Sequence, residues 1–410
     1  MRKGSFLSRA GIYTASTLMM LSLGMTSLAA GSNYDTENIG GTKTTTFEKF
    51  LVMDQNASVP TASFTYAVAA GAPMSYDVDG KKFEVLAGVD ANKVTMAGVG
   101  TETANTIAYT ASDTTTTDAN AYVKNYDPAT QKYAKKSATL DFSGVKFPEP
   151  GVYRYIITES GVNPGISNDA DLTRVVDVYV QDASDDTGKK LSIAGYVLHA
   201  NEDDEPEISA GDEFGSAGSY GDTKSQGFTN VFVSSDLTFR KEVSGNQASK
   251  DKYFAFTVKL TGAPAGTVYA VDLSDADATS GTSAATIAAN AGKTNPTTLT
   301  VGEDGTATAV FYLQHGQEIT IKGIGKDVKY DVTENAEDYK STAAGVTDYD
   351  DPVSGTIDAT DLNTSYLNTR NGVIPTGVIM TVAPFAVVTL LGGAGAVTIL
   401  MKKKKQDEDA

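Results

Sequence analysis

The chain has 410 residues, no cysteine, no tryptophan, two histidines and a formal net charge of −18. Its length is too great for one typical domain and comfortable for two, and without cysteine any covalent staple in an exported chain must come from chemistry other than disulfides. So acidic a surface argues against nucleic acid and against electrostatic binding to anionic lipid. His199 and His315 stand far apart in sequence, which argues against a histidine-centred hydrolase or a zinc site. There is no P-loop and no dinucleotide fingerprint, so no metal, no cofactor and no turnover enzyme is expected.

At the N-terminus, Arg2, Lys3 and Arg9 precede an apolar stretch through Leu18-Met-Met-Leu-Ser-Leu23, and Ser27-Leu-Ala-Ala30 supplies small residues. This layout predicts a secretory signal peptide over residues 1–30 and a mature chain starting near Gly31. From Thr44 the sequence breaks into short alternating runs bounded by Gly, Asn, Asp and Pro, the pattern of an all-β protein. A first domain, 31–233, is predicted to hold strands Thr44–Met53, Thr61–Ala69, Lys82–Leu86, Ala138–Phe142, Val152–Glu159, Arg174–Gln181, Leu191–His199 and Phe228–Val233. The Thr/Ala/Asn-rich stretch from Ala91 to Lys136 reads as a long surface insertion or small subdomain, outside the core. The acidic segment from Asn201 to Glu207 reads as a solvated loop, since it lacks the ligand spacing and turn glycine of a calcium loop.

Ser234-Ser-Asp236 reads as a short polar joint. A second domain, 236–371, follows with predicted strands Leu237–Val243, Tyr253–Leu260, Thr267–Val271, Ala307–Leu313, Glu318–Ile324, Val328–Glu334 and Ser365–Arg370. A second Thr/Ala/Ser/Asn stretch, Ser274 to Thr298, interrupts it. Two tandem immunoglobulin-like β-sandwich domains stacked end to end are the expected fold, with a barrel as the alternative.

The tail reads Asn371-Gly-Val-Ile374-Pro375-Thr376-Gly377, then twenty-four uncharged residues from Val378 to Met401, then Lys402 to Lys405. An apolar run of that length crosses a bilayer as one transmembrane helix, 378–401, and the lysines mark the cytoplasmic tail, 402–410. Pro-Thr-Gly directly outside such a span resembles the cell-wall sorting signal of Gram-positive surface proteins. In that family a sortase cleaves between Thr and Gly and passes the threonine acyl group to an amine, which here implies a cut after Thr376 within the motif 372–377. No residue separates Pro375 from Thr376, a contracted form similar to that of certain streptococcal backbone pilins. Without signal and tail the chain keeps 26 basic and 48 acidic residues, a net charge of −22.

Parity assigns faces, because alternate residues of a strand point the same way. Lys49 shares a face with Phe47, Leu51 and Met53, and Lys241 shares one with Leu237, Phe239 and Val243. The face of Tyr153, Tyr155 and Ile157 ends in Glu159; that of Val328, Tyr330 and Val332 ends in Glu334. Asn230 alternates with Phe228 and Phe232, and Asn368 follows Tyr366, although Leu367 on the other face leaves that strand's inward side open. In both domains the order is Lys on the first strand, Glu on a middle strand, Asn on the last. Isolated buried charges are very costly. One reading is a buried Lys–Glu ion pair with an Asn hydrogen bond. The other uses burial as chemistry: desolvation favours a neutral amine beside a protonated acid. The amine can then attack the Asn carboxamide while the acid hydrogen-bonds and polarises its carbonyl oxygen and moves protons, giving an intramolecular Lys–Asn isopeptide bond.

Taken together, these features are similar to the FctA-like backbone pilins of Gram-positive bacteria. The echoes are Gly151-Val-Tyr-Arg-Tyr-Ile-Ile-Thr-Glu159, Gly227-Phe-Thr-Asn230, Phe239-Arg-Lys-Glu-Val-Ser-Gly245, Tyr330-Asp-Val-Thr-Glu334 and Tyr366-Leu-Asn-Thr-Arg370. The resemblance implies one bond site at Lys49, Glu159 and Asn230 and another at Lys241, Glu334 and Asn368, the glutamates promoting each bond. It implies a major pilin on the cell surface, with sortase, identical subunits, minor pilins and peptidoglycan as partners, and the membrane only before sorting. With no tryptophan there is no Trp-containing lysine motif, and the family's accepting lysine resembles Lys224, six residues before Asn230. A monomeric wall-anchored adhesin that never polymerises is the alternative.

Overall fold

The computed structural model describes residues 34–78, 81–98, 105–205, 224–275, 292–343 and 352–373. The expected signal peptide, residues Ile374 to Gly377 of the sorting motif, the membrane span and the tail lie outside the described residues. So does most of the stretch from Ser274 to Thr298. Residues Met1–Arg370 form one compact unit and Asn371–Ala410 a second, of which only 371–373 are described. Apart from a single 3-10 turn at Ala91–Lys93, the described regular structure is all strand.

Four principal sheets make two sandwiches, each around its own apolar core. In the first, an eight-stranded sheet carries Gly151–Ser160 between Thr173–Asp182 and Ala62–Ala70. The facing six-stranded sheet carries Thr44–Asp54 between Gly227–Phe232 and Gln131–Asp141. In the second sandwich, Ser234–Ser244 lies between Gln317–Gly325 and Leu362–Thr369 in a six-stranded sheet. Its four-stranded partner carries Lys329–Asn335 between Phe254–Thr261 and Val353–Thr356. In both sandwiches the first long strand and the last strand are parallel neighbours, joined only through the rest of the sandwich.

The predicted strands are present, several with longer bounds, but one loop expectation needs correction. The stretch from Ala91 to Lys136 is not outside the core. It supplies strands Thr95–Gly98, Thr106–Tyr109 and Thr115–Thr116, and Met96, Ile107 and Tyr109 pack into the main core. Val123 and Tyr126 cover the outer face of the Lys49 strand, where Phe50 and Val52 would otherwise meet water. A few large apolar side chains anchor a segment whose average composition reads as loop. The short polar joint Ser234-Ser-Asp236 is built into the first strand of the second sandwich. The strand begins at Ser234, both serines are buried, and Ser235 Oγ donates to the Asp358 carbonyl at 2.6 Å.

The described part of the acidic segment, up to Glu205, has mostly exposed side chains, yet its backbone is engaged. The carbonyls of Glu202 and Asp204 each accept from the Arg154 guanidinium at 2.7 Å. Arg154 itself is buried and clamps Asp177 with two hydrogen bonds of 2.8 Å. The strand Gly151–Ser160 is therefore buried on both faces, tyrosines on one and a compensated ion pair on the other.

Candidate functional site

Lys49 stands opposite Phe228 and Leu51 opposite Asn230 across the parallel pair of strands. Lys241 stands opposite Tyr366 and Val243 opposite Asn368 in the second sandwich. In each case the Asn lies two residues beyond the position facing the Lys, so both side chains project to the same inner face. The glutamate arrives from the facing sheet, Glu159 beside Tyr66 and Glu334 beside Phe256. The structure thus brings each expected Lys, Glu and Asn together, twice, in one register.

Burial is close to complete: both lysines and both asparagines are 0% exposed, Glu159 2% and Glu334 8%. In the first cluster Lys49 Nζ lies 2.6 Å from Glu159 Oε2, and Asn230 Nδ2 donates to Oε1 at 2.7 Å. One carboxylate therefore touches the nucleophile with one oxygen and the leaving nitrogen with the other. Tyr66 adds its hydroxyl to Oε2 at 2.8 Å. In the second cluster both partners share Glu334 Oε1, Lys241 Nζ at 2.8 Å and Asn368 Nδ2 at 2.9 Å. Ser341 Oγ donates to Oε2 at 2.8 Å, and Lys241 Nζ also donates to the Tyr366 carbonyl at 3.2 Å.

Each amine is seated against an aromatic ring, 4.1 Å from the centroid of Phe64 for Lys49 and 4.8 Å from that of Phe254 for Lys241. Desolvation dominates and pushes both lysines down to about 8, although the neighbouring glutamates pull the other way. A lysine so placed surrenders its proton far more easily than one in water, which is what a nucleophilic amine requires.

One detail differs from the sequence-based expectation. The acid does not meet the carbonyl oxygen of either asparagine; it meets the amide nitrogen. In the first cluster Asn230 Oδ1 instead accepts the backbone N–H of Asp169 at 3.0 Å. A backbone N–H can only donate, so this contact sets the orientation of the carboxamide and turns Nδ2 toward Glu159. Asn368 Oδ1 has no hydrogen-bond partner among the described residues. Sequence reasoning missed Tyr66, Ser341, Asp169 and Arg174. Tyr66 was within reach, since it shares the parity of Phe64 on a predicted strand.

Lys224 is half-buried, and its backbone is bridged to His199 at the end of the strand Lys190–His199.

Residues 89–232 match the FctA family, described as a Spy0128-like isopeptide containing domain. That part of the chain is similar to an FctA domain. The match includes Glu159 and Asn230 but begins after Lys49, which reaches the FctA domain through its strand pairing. Residues 235–370 match a domain of unknown function, DUF7601, and that span holds Lys241, Glu334 and Asn368 together. The likeness is not confined to residues 89–232. A pilin of Streptococcus pyogenes serotype M1 is 25% identical over 402 residues, covering 94% of this chain and 98% of the relative. The crystal structure of the major pilin from Streptococcus pyogenes aligns with a TM-score of 0.50 at 21% identity, over 82% of this chain and all of that one, a likeness of fold. The major pilin T3.2 from serotype GAS13637 of the same species aligns at 21% identity and a TM-score of 0.46, over 80% of this chain and all of that one.

Proposed function

We propose that this protein is the structural subunit of a sortase-assembled, covalently polymerised pilus on a Gram-positive cell surface, with each sandwich closed by a self-generated Lys–Asn isopeptide bond. The single observation that carries this reading is the duplicated cluster: twice, a buried amine and a buried carboxamide converge on one carboxylate. In the first sandwich Lys49 Nζ attacks Cγ of Asn230 and the Nζ–Cγ bond forms. The surplus proton passes through the Glu159 carboxyl to Nδ2, the Cγ–Nδ2 bond breaks, and ammonia leaves. The carboxyl group ends as it began. Lys241, Glu334 and Asn368 run the same sequence in the second sandwich. Each site reacts once on its own chain, so the protein is a substrate of sortase rather than an enzyme.

Polymerisation joins Thr376 of one subunit to a lysine of the next, and Lys224 is the acceptor supported by its place six residues ahead of Asn230, where the family's accepting lysine lies by resemblance. Cell-wall extracts should give a ladder of high-mass bands that survives boiling in detergent, and Lys224→Ala should collapse it to the monomer. A monomeric band in wild-type cells would favour the anchored adhesin; a full ladder from Lys224→Ala would move the acceptor to another lysine.

Processing gives a separate expected result. The wall-linked form should end at Thr376 in an amide, and peptide mapping should find no Gly377 or Val378 in it. Retention of those two residues in mature wall-bound protein would rule out sortase cleavage at this site.

A further inference from the structure

The buried pair of Arg174 and Asp169 lies beside the first cluster and takes no part in the proton transfer just described. Arg174 Nη2 lies 2.6 Å from Asp169 Oδ2, with both side chains at most 2% exposed. The same Oδ2 accepts the Thr229 N–H at 2.8 Å, one residue before Asn230. Arg174 Nε donates to the Gly227 carbonyl at 2.8 Å, and its guanidinium lies 4.8 Å from the Phe228 ring. The pair thus ties the Asp169 segment to three successive residues of the Asn230 strand. What it holds in place is the Asp169 N–H, aimed at Asn230 Oδ1.

Resting on the isopeptide reading above, we infer that the Asp169 backbone N–H is the oxyanion donor for bond formation in the first sandwich, and that Arg174 and the Asp169 carboxylate are its positioning residues. When Lys49 Nζ adds to Cγ, negative charge develops on Asn230 Oδ1. A fixed N–H already bonded to that oxygen stabilises the charge without rearrangement, in a site from which water is excluded. Glu159 is then free to serve only the two nitrogens, consistent with its placement of one oxygen on each. The second cluster has no such donor among the described residues. There Glu334 meets both nitrogens with one oxygen. The two bonds should therefore form at different rates, the first ahead of the second.

The test is a time course on the full chain made by cell-free synthesis, with translation stopped and the two crosslinked peptides quantified by mass spectrometry. In the wild type the Lys49–Asn230 crosslink should accumulate at least about tenfold faster than Lys241–Asn368. Asp169→Asn keeps the size of the side chain but loses the ion pair that holds the N–H. It should slow the first crosslink by roughly 10- to 100-fold, the scale of a weakened oxyanion donor, and leave the second unchanged. Charge alone predicts the opposite sign, because the Asp169 carboxylate favours the ammonium form of Lys49 and its removal would free the amine. A first crosslink that forms in Asp169→Asn at the wild-type rate or faster would overturn the assignment. Should that variant fail to give a protease-resistant first sandwich, the wild-type comparison decides, and a first bond no faster than the second overturns it. Absence of both crosslinks from the wild type would instead sink the isopeptide reading itself.

Discussion

Glu159→Ala is expected to abolish the crosslink in the first sandwich and leave the second intact, and Glu334→Ala is expected to do the reverse. The ectodomain purified from a host without sortase should have an intact mass lower by two molecules of ammonia, one per sandwich. Each variant should lose one of these decrements. The reason is geometric: among the described residues, the carboxyl is the only group that touches both the amine and the departing nitrogen in each cluster. Without it the lysine has no base and the ammonia no proton donor. Alanine also strands a buried lysine without its partner, which costs about 3–5 kcal/mol by itself. An unmodified mass in the wild type would leave the buried ion pair as the better account of both clusters.

The second large effect is on stability. Lys49 and Asn230 bracket a loop of about 180 residues, and Lys241 and Asn368 one of about 130; in the chain-entropy model, closing either stabilises by about 5 kcal/mol. Asn230→Ala and Asn368→Ala remove the bond but keep the Lys–Glu pair, so they isolate this term from the cost of an orphaned charge. Each should lower the melting temperature of its own sandwich by roughly 10–20 °C, given about 2–4 °C per kcal/mol for domains of this size. A shift of only a degree or two, measured on variants whose wild type carries the full mass decrement, would refute covalent closure as a main source of stability.

The same closure has a mechanical consequence that follows from strand direction. The Lys241 strand and the Asn368 strand are parallel neighbours, so a pull on the two ends of the sandwich shears them past one another. A bond from Lys241 to Asn368 would carry that load directly, and residues 242–367 would bear none of it. The first sandwich repeats the arrangement from Lys49 to Asn230. In a chain without cysteine such bonds would do what a disulfide could not, keeping each β-sandwich from peeling open under load.

Much of this was legible in the sequence. The alternation of apolar residues located the strands, and parity turned Lys49, Lys241, Glu159, Glu334 and Asn230 inward, because side-chain direction in a strand is a local property with a period of two residues. Asn368 was ambiguous because Leu367 offered a rival apolar face; the structure leaves Leu367 38% exposed and Asn368 buried. What the tertiary structure alone decided depends on contacts between residues far apart in the chain. The parallel register that sets each Asn two residues beyond its Lys joins strands about 130–180 residues apart, and no local pattern encodes such a pairing. The core role of Ile107, Tyr109 and Val123 was hidden in a Thr/Ala/Asn-rich stretch, since a few anchors suffice to bury a segment whose average is polar. The burial of Arg154 and Arg174 rests on their ion pairs with Asp177 and Asp169. The Asp169 N–H had no sequence signal at all: every residue but proline carries that donor, and only the fold determines which one meets a reacting oxygen.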